Sequence, residues 1–176
     1  MGDDLWLSGS SGDAALGLAH LQGRCTLDAA AAAYCVQRLE APQPRLELGG
    51  RLRGIATSAI DVSDGLLGDL GHVLAASHIG AKLQLAALPR SAALQSCGDA
   101  ALAEQCLLAG GDDYELLFSA PAAHRPDIDA IAADLGLRLT RIGEIMAGEP
   151  AARVYREDGS ELRAGRAGFD HFGDPA

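Results

Sequence analysis

Two aspartates on either side of a serine suggest a site for a metal ion and a phosphate. Asp61, Ser63 and Asp64 lie in the run Ala59–Leu67, where an apolar strand-like segment gives way to a helix-like one. Magnesium prefers hard oxygen ligands and is usually held by one or two carboxylates together with substrate phosphates. Amides at the start of the following helix would also attract an anion. The same residues also suit a structural role, in which Ser63 caps the helix and the aspartates are solvated.

A second acidic run follows two glycines. The run Gly110–Phe118 begins with a Gly-Gly pair, which lets the chain turn tightly before a strand. Alternation along that strand places Glu115 on the face opposite Tyr114. Glu115 could there accept hydrogen bonds from a polar or cationic ligand. Asp112 and Asp113 fit the simpler structural role of accepting hydrogen bonds from turn amides.

Two further segments have weaker chemical signals. The tail Gly168–Phe172 carries two aromatic rings, which could stack on an aromatic ligand or pack the tail onto the core. His171 has no second histidine at a metal-binding spacing, and we assign it no role. The run Gly9–Gly12 is compatible with a weak anion-binding nest, but it favours an ordinary turn before a helix.

The composition excludes several classes of protein. The net charge is -10 and Lys82 is the only lysine, so we expect no nucleic-acid partner. No G-x-x-x-x-G-K-[ST] phosphate loop occurs. The four cysteines lack a metal-binding spacing, which predicts reduced thiols. Without a membrane-length apolar run or a signal-peptide pattern, we expect a cytoplasmic protein with no membrane partner.

The elements that must position these residues alternate between strand-like and helix-like segments. The chain has 176 residues, of which 48% are hydrophobic and 4% aromatic, and this predicts a single α+β domain over 1–176 with a mixed β-sheet packed with α-helices. Strands are predicted at 5–7, 55–60, 81–88, 114–119 and 137–145, and a hairpin pairs 153–157 with 161–163 around Asp158-Gly159. Helices are predicted at about 13–21, 26–39, 100–108 and 127–135, and from the Asp61 run to about residue 77.

Three motifs together resemble the thiamine-monophosphate kinase family, within the aminoimidazole-ribonucleotide synthetase-related superfamily. They are Ala59–Leu66, Gly110–Leu116 and Gly168–Phe172, with support from Gly12–Leu18 and Pro42–Arg45. The Asp-x-Ser-Asp-Gly run is shared across the superfamily, whereas the other two motifs point to the kinase branch. The resemblance covers essentially the whole chain and corresponds to the C-terminal half of such a kinase.

The resemblance implies a reaction and a set of site residues. The reaction is the ATP- and Mg²⁺-dependent phosphorylation of thiamine monophosphate to thiamine diphosphate, a step of thiamine diphosphate biosynthesis. By resemblance, Asp61 and Asp64 bind magnesium ions and Ser63 contacts ATP. Glu115 and Phe169 contact thiamine monophosphate, whose thiazolium ring is cationic. No catalytic nucleophile is implied, because direct phosphoryl transfer depends on positioning and charge neutralisation.

Members of this family also have an N-terminal domain with further metal-binding aspartates and much of the ATP site. We expect that domain to be absent from this chain and to act together with it, in cis or in trans. The resemblance also implies that the full-length enzyme is a homodimer. Three alternatives stay open. The chain could be a catalytically silent module that binds nucleotide or thiamine phosphate, a structural half that requires a separate polypeptide, or part of another phosphate-activating synthetase of the superfamily.

Overall fold

Seven strands form one mixed sheet in the computed structural model, which describes residues 1–162. The strands are β1 (Asp4–Ser8), β2 (Ser58–Val62), β3 (Gly80–Gln84), β4 (Glu115–Ala120), β5 (Leu139–Met146), β6 (Ala152–Tyr155) and β7 (Glu161–Leu162). Their order in the sheet is β2-β4-β1-β5-β3-β6-β7. Strands β3 and β6 are parallel, and the other neighbours are antiparallel. The predicted mixed sheet is confirmed.

Seven α-helices accompany the sheet in the same range of residues. They are α1 (Asp13–Leu21), α2 (Ala29–Glu40), α3 (Leu46–Arg51), α4 (Leu66–Ser77), α5 (Ala92–Gln95), α6 (Ala100–Ala109) and α7 (Arg125–Leu135). The helix predicted from residue 26 begins at Ala29, because the Asp28 carboxylate caps it by accepting the Ala31 N–H at 2.8 Å. Within residues 1–162, no helix combines the length and the apolar character needed to cross a membrane.

Two predicted strands differ from the observed ones by more than two residues at one end. The strand predicted at 55–60 lies at Ser58–Val62, because Ile55 and Ala56 pack against an apolar cluster after α3 instead of joining the sheet. The strand predicted at 81–88 ends at Gln84, where Leu85–Ala87 form a 3-10 turn. The predicted hairpin is present as β6 and β7, and residue 163 lies outside the described range.

Alternation along the strands divides the apolar core between the two faces of the sheet. In β1, Leu5 and Leu7 belong to the larger cluster, which also takes buried residues from α1, α2, α4, α5 and α6. Trp6, between them, belongs to the smaller cluster under α3 and α7. Its ring stacks on Phe118 with the centroids 6.3 Å apart. Both faces of the sheet are therefore covered by helices.

The register between β2 and β4 brings the two acidic runs together. Val62 at the end of β2 pairs with Glu115 at the start of β4. The pairing continues beyond the strands, where the Asp112 N–H donates to the Ser63 carbonyl oxygen at 2.9 Å. Residues far apart in sequence thus form one edge of the sheet.

Candidate functional site

The turn from β2 into α4 carries the predicted metal and phosphate residues. The Asp61 side chain is exposed on β2, and Ser63 and Asp64 are half-buried. Gly65 is the N-cap residue of α4, so Ser63 does not cap this helix as the structural alternative supposed. Gly65 has φ 104°, and a Cβ added there would lie 2.7 Å from the Ala109 carbonyl carbon. The turn can therefore approach the end of α6 only with glycine at this position.

Asp69, in the first turn of α4, fixes the backbone of this turn. Its buried carboxylate accepts hydrogen bonds from the Ser63 N–H at 2.9 Å and the Asp64 N–H at 3.0 Å. Burial raises the pKa of Asp69, the two N–H groups lower it, and the charges of Asp64 and Asp61 raise it again. The buried Asp69 carboxylate therefore fixes the backbone of the turn by hydrogen bonds. The carboxylates of Asp61 and Asp64 add further negative charge near it.

Among residues 1–162, one group of three side chains has the spacing of a cation site. Asp64, Asp69 and His72 each offer a ligand atom, and these atoms lie within 4.8 Å of one another. Carboxylate oxygens suit magnesium. Asp61, the other predicted ligand, is not in the group. The sequence reasoning missed Asp69 and His72, although their spacing of three residues places them on one helix face.

Ser63 and Asp64 open onto a cavity of about 480 Å³. Its polar wall also includes Gly110–Asp112 from the second acidic run. The remaining wall comes from α1, from α6 and from the residues after α1; Leu18 and Leu102 are among its apolar residues, and Gln22, Arg24 and Gln105 are polar. The cavity can thus hold an anionic group beside a cation and a flat apolar ring beside the helices.

Glu115 is held by arginines on the other side of β4. Its side chain is 1% exposed. One carboxylate oxygen, Oε1, accepts hydrogen bonds from Arg38 at 2.8 Å and Arg45 at 2.6 Å. The other, Oε2, accepts from Arg45 Nε at 2.7 Å and from the Ser8 hydroxyl at 2.5 Å. The hydrogen bonds to Glu115 raise the pKa of Arg45 above its ordinary value.

Glu115 forms part of the wall of a larger cavity of about 760 Å³. The cavity has no lining residue in common with the smaller one. Its charged residues are four arginines and two acids, namely Arg38, Arg45, Arg90, Arg138, Asp28 and Glu115. In a chain of net charge -10, this wall therefore has an excess of positive charge. Tyr34 and several alanines supply its apolar part.

The aspartates of the second run differ in burial. Asp112 is exposed, whereas Asp113 is fully buried and accepts the N–H groups of Gly12 at 2.6 Å and Ala14 at 3.3 Å. Burial raises the pKa of Asp113 to about 7, although these N–H groups oppose the shift. Asp113 therefore has a structural role, as predicted, but its donors are backbone N–H groups at the start of α1 and not those of its own turn. The run Gly9–Gly12 is a turn, and its Gly12 N–H is occupied by Asp113 rather than open to an anion.

The sequence could not predict the arginine contacts of Glu115, and one predicted substrate-binding residue lies outside the described residues. Arg38 and Arg45 meet Glu115 across 77 and 70 residues, and no local motif indicates such a contact. Phe169, His171 and the rest of Gly168–Phe172 lie outside the described residues, so the substrate role of Phe169 stays a prediction.

Comparison with known families shows one match over most of the chain. The model described as AIR synthase related protein, C-terminal domain, matches residues 1–155. Among curated proteins, thiamine-monophosphate kinase of Escherichia coli K12 is 41% identical over 175 residues, which are 99% of this chain and 54% of that protein. The counterpart from Haemophilus influenzae is 39% identical over 98% of this chain and 53% of its own length.

Solved structures agree with these relatives. A thiamine-monophosphate kinase structure from Stenotrophomonas maltophilia K279a has a TM-score of 0.82 and 43% identity, covering 92% of this chain and 52% of that one. A structure described as AaThiL complexed with AMPPCP and TMP has a TM-score of 0.77 and 26% identity, covering 98% of this chain and 52% of that one. The chain spans about half the length of the curated relatives that it matches.

Proposed function

The chain belongs to the family of AIR synthase related protein C-terminal domains, and from this membership we propose that it supplies the C-terminal half of a thiamine-monophosphate kinase site. The reaction transfers the γ-phosphoryl group of ATP to thiamine monophosphate and gives thiamine diphosphate and ADP. The remaining half of the relatives' length completes the site in cis or in trans, and the complete enzyme is a homodimer.

One observation carries this proposal. The Ser63 carbonyl oxygen accepts the Asp112 N–H at 2.9 Å, so the turn bearing Asp64 is fixed against Gly110–Asp112 at the wall of one cavity. The proposed cation site and the second acidic run therefore lie at one edge of the sheet, which supports a shared role. Phosphoryl transfer needs this kind of positioning more than it needs a nucleophile.

The described residues fit magnesium and ATP in this place. Asp61 and Asp64 would hold Mg²⁺, and the ligand atoms of Asp64, Asp69 and His72 within 4.8 Å support a cation at Asp64. When bound, Mg²⁺ supplies positive charge that offsets the phosphates. Ser63 borders the cavity where its hydroxyl can donate to a phosphate oxygen of ATP.

The second substrate is assigned to the larger cavity. Glu115 borders it, and the proposed contacts of thiamine monophosphate are Glu115 and Phe169. Two cavities without a common lining residue are compatible with two substrates that approach one sheet edge from different sides. The neighbour that binds both AMPPCP and TMP supports this two-substrate assignment.

The metal assignment is tested with Asp64→Asn in this chain combined with the remaining half of the Escherichia coli relative. We expect half-maximal turnover to need at least about tenfold more Mg²⁺, since even outer-shell metal partners are worth roughly 10- to 100-fold. Asp129→Asn removes the same charge from an exposed position on α7 and should leave the Mg²⁺ dependence unchanged. An unchanged Mg²⁺ dependence in Asp64→Asn would refute the assignment.

A further inference from the structure

Asp69 lies behind the turn that carries Ser63 and Asp64, and its carboxylate holds the backbone of that turn. We propose that Asp69 is a positioning residue for phosphoryl transfer, which acts as a hydrogen-bond acceptor and binds neither the cation nor the phosphate. Its effect on turnover rests on the proposed function. The anchoring of the turn does not.

Both amides of the turn donate to one oxygen of Asp69. The Ser63 N–H group lies 2.9 Å and the Asp64 N–H group 3.0 Å from Oδ2. A carboxylate oxygen accepts a hydrogen bond more strongly than a neutral oxygen does. Backbone amides next to the start of a helix often bind phosphate, but these two are already used. A phosphate at this turn must therefore be held by other groups, such as the Ser63 hydroxyl and a cation at Asp64.

The two peptide units on either side of Ser63 are hydrogen-bonded at both ends. The N–H groups of both units donate to the buried carboxylate. Their carbonyl oxygens accept from the second acidic run, with the Asp112 N–H 2.9 Å from the Ser63 oxygen and the Tyr114 N–H 2.8 Å from the Val62 oxygen. Because each peptide unit is planar, rotating either one would break a hydrogen bond. The direction of the Ser63 side chain is therefore set by its backbone.

Helix α4 places Asp69 where its side chain can reach back to the turn. The Asp69 N–H donates to the Gly65 carbonyl oxygen at 3.0 Å and closes the first turn of the helix. Helical side chains lean toward the N-terminus of their helix, so this carboxylate meets residues that precede Gly65. A negative charge is also favourable near a helix N-terminus. The arrangement is similar to a capping box, in which a first-turn side chain accepts from an N–H group before the helix.

A direct role of Asp69 as a cation ligand is the alternative. One of its oxygens lies within 4.8 Å of the ligand atoms of Asp64 and His72. However, Asp69 is 3% exposed, and it does not belong to the residues 1–162 that line the cavity in front of Ser63 and Asp64. The carboxylate is thus on the protein side of the turn and the cavity on the other. This placement favours anchoring over metal binding.

The first test is amide hydrogen exchange of the full chain, followed by NMR without Mg²⁺ or nucleotide. In the wild type, the Ser63 and Asp64 amides should exchange at least about tenfold more slowly than in an unstructured peptide, since each donates to a buried acceptor. Asp69→Ala removes the acceptor and should raise both exchange rates at least about tenfold. Asp69→Asn keeps an oxygen that can accept from both N–H groups, so its rates should lie closer to those of the wild type.

Leu74→Ala is the matched control for a general loss of stability. Leu74 is fully buried on the same helix, and its truncation destabilises the fold without removing a hydrogen bond of the turn. Exchange in the central strand β1 reports unfolding of the whole chain. Leu74→Ala should speed exchange in the turn and in β1 by similar factors. Asp69→Ala should speed exchange in the turn by a much larger factor than in β1.

The second test measures turnover of this chain combined with the remaining half of the Escherichia coli relative. Asp69→Ala should lower kcat at least about tenfold, because even a small misplacement of reacting groups is costly, and should leave the apparent KM for thiamine monophosphate within about twofold. Asp69→Asn should recover most of the lost kcat. A cation ligand would behave differently, since Asp69→Asn would then need as much additional Mg²⁺ as Asp64→Asn.

The outcomes separate this proposal from the proposed function. Exchange of the Ser63 and Asp64 amides at peptide rates in the wild type would overturn the anchoring, and this result is available even if Asp69→Ala does not fold. Equal Mg²⁺ requirements in Asp69→Asn and Asp64→Asn would make Asp69 a cation ligand and overturn the acceptor role. Equal patterns of exchange in Asp69→Ala and Leu74→Ala, or an unchanged kcat in Asp69→Ala, would overturn the positioning role. Asp69-dependent protection of the turn without any kinase turnover would leave the anchoring standing and overturn the proposed function.

Discussion

Asp113 couples the ionisation of one buried group to the stability of the fold. Burial raises its pKa to about 7, whereas an aspartate in an unfolded chain titrates near 3.9. Between about pH 4 and 7, the folded protein therefore holds a proton that the unfolded chain has lost. This contribution to stability is fully present below about pH 4 and is lost as the pH rises through 7.

Asp113→Asn should flatten that pH dependence. The amide cannot ionise, but its carbonyl oxygen can still accept the Gly12 N–H. We expect the free energy of unfolding, measured in urea, to fall less between pH 4 and 7 than in the wild type, by up to a few kcal/mol. Asp129→Asn is the exposed control and should keep the wild-type slope. A wild-type slope in Asp113→Asn would show that this carboxyl is not the group responsible.

The surroundings of a site residue could be predicted from the sequence only where its neighbours in space are also close in sequence. The spacing of Asp61, Ser63 and Asp64 predicted a turn between a strand and a helix, and the structure confirms that turn. The partners of Glu115 are held by the fold across at least 70 residues, so no spacing rule could indicate them. The sequence indicated that Glu115 could accept hydrogen bonds from a ligand. In the structure, its carboxylate accepts hydrogen bonds from Arg38 and Arg45.

At the scale of elements, the close approach of the β2–α4 turn to the end of α6 forms the smaller cavity. Gly65 permits that approach through its φ of 104° and its lack of a Cβ. We expect Gly65→Ala to lower the free energy of unfolding by roughly 2–4 kcal/mol, from backbone strain and overpacking against Ala109. Chemical denaturation gives the value.

A second glycine provides the control for this change. Gly49 lies in α3, and a Cβ there would meet no atom within 4 Å. Gly49→Ala should be neutral or stabilise the fold by about 0.5–1 kcal/mol, because alanine restricts the unfolded chain. Loss of stability in Gly49→Ala equal to that in Gly65→Ala would mean that the close approach is not the cause.

Elements were predictable where the sequence pattern and the packing coincide. Helix α1 was predicted with its observed bounds, Asp13–Leu21, because an acidic first turn and apolar positions mark it. Helix α3 was missed, since its six residues include two glycines and bury only Leu48. The helix depends instead on the packing of Leu48 in the smaller apolar cluster, between the sheet and α7. The strand order was not predictable either, because pairing joins strands that are distant in sequence.

At the scale of the whole molecule, charge is segregated. A chain of net charge -10 concentrates arginines in one cavity and aspartates at the neighbouring sheet edge. The acidic edge suits a cation that carries phosphates. The chain spans about half the length of the curated relatives that it matches, and under the proposed function the other half of that length completes the site.

The most direct measurement follows the γ-phosphoryl group itself. This chain, combined with the remaining half of the Escherichia coli relative, is incubated with Mg²⁺, γ-³²P-labelled ATP and thiamine monophosphate, and the products are separated by chromatography. We predict that the label appears in thiamine diphosphate, that thiamine does not replace thiamine monophosphate as acceptor, and that neither half alone transfers the label. A folded complex that binds both substrates but leaves the label in ATP, or releases it only as inorganic phosphate, would contradict the proposed kinase function.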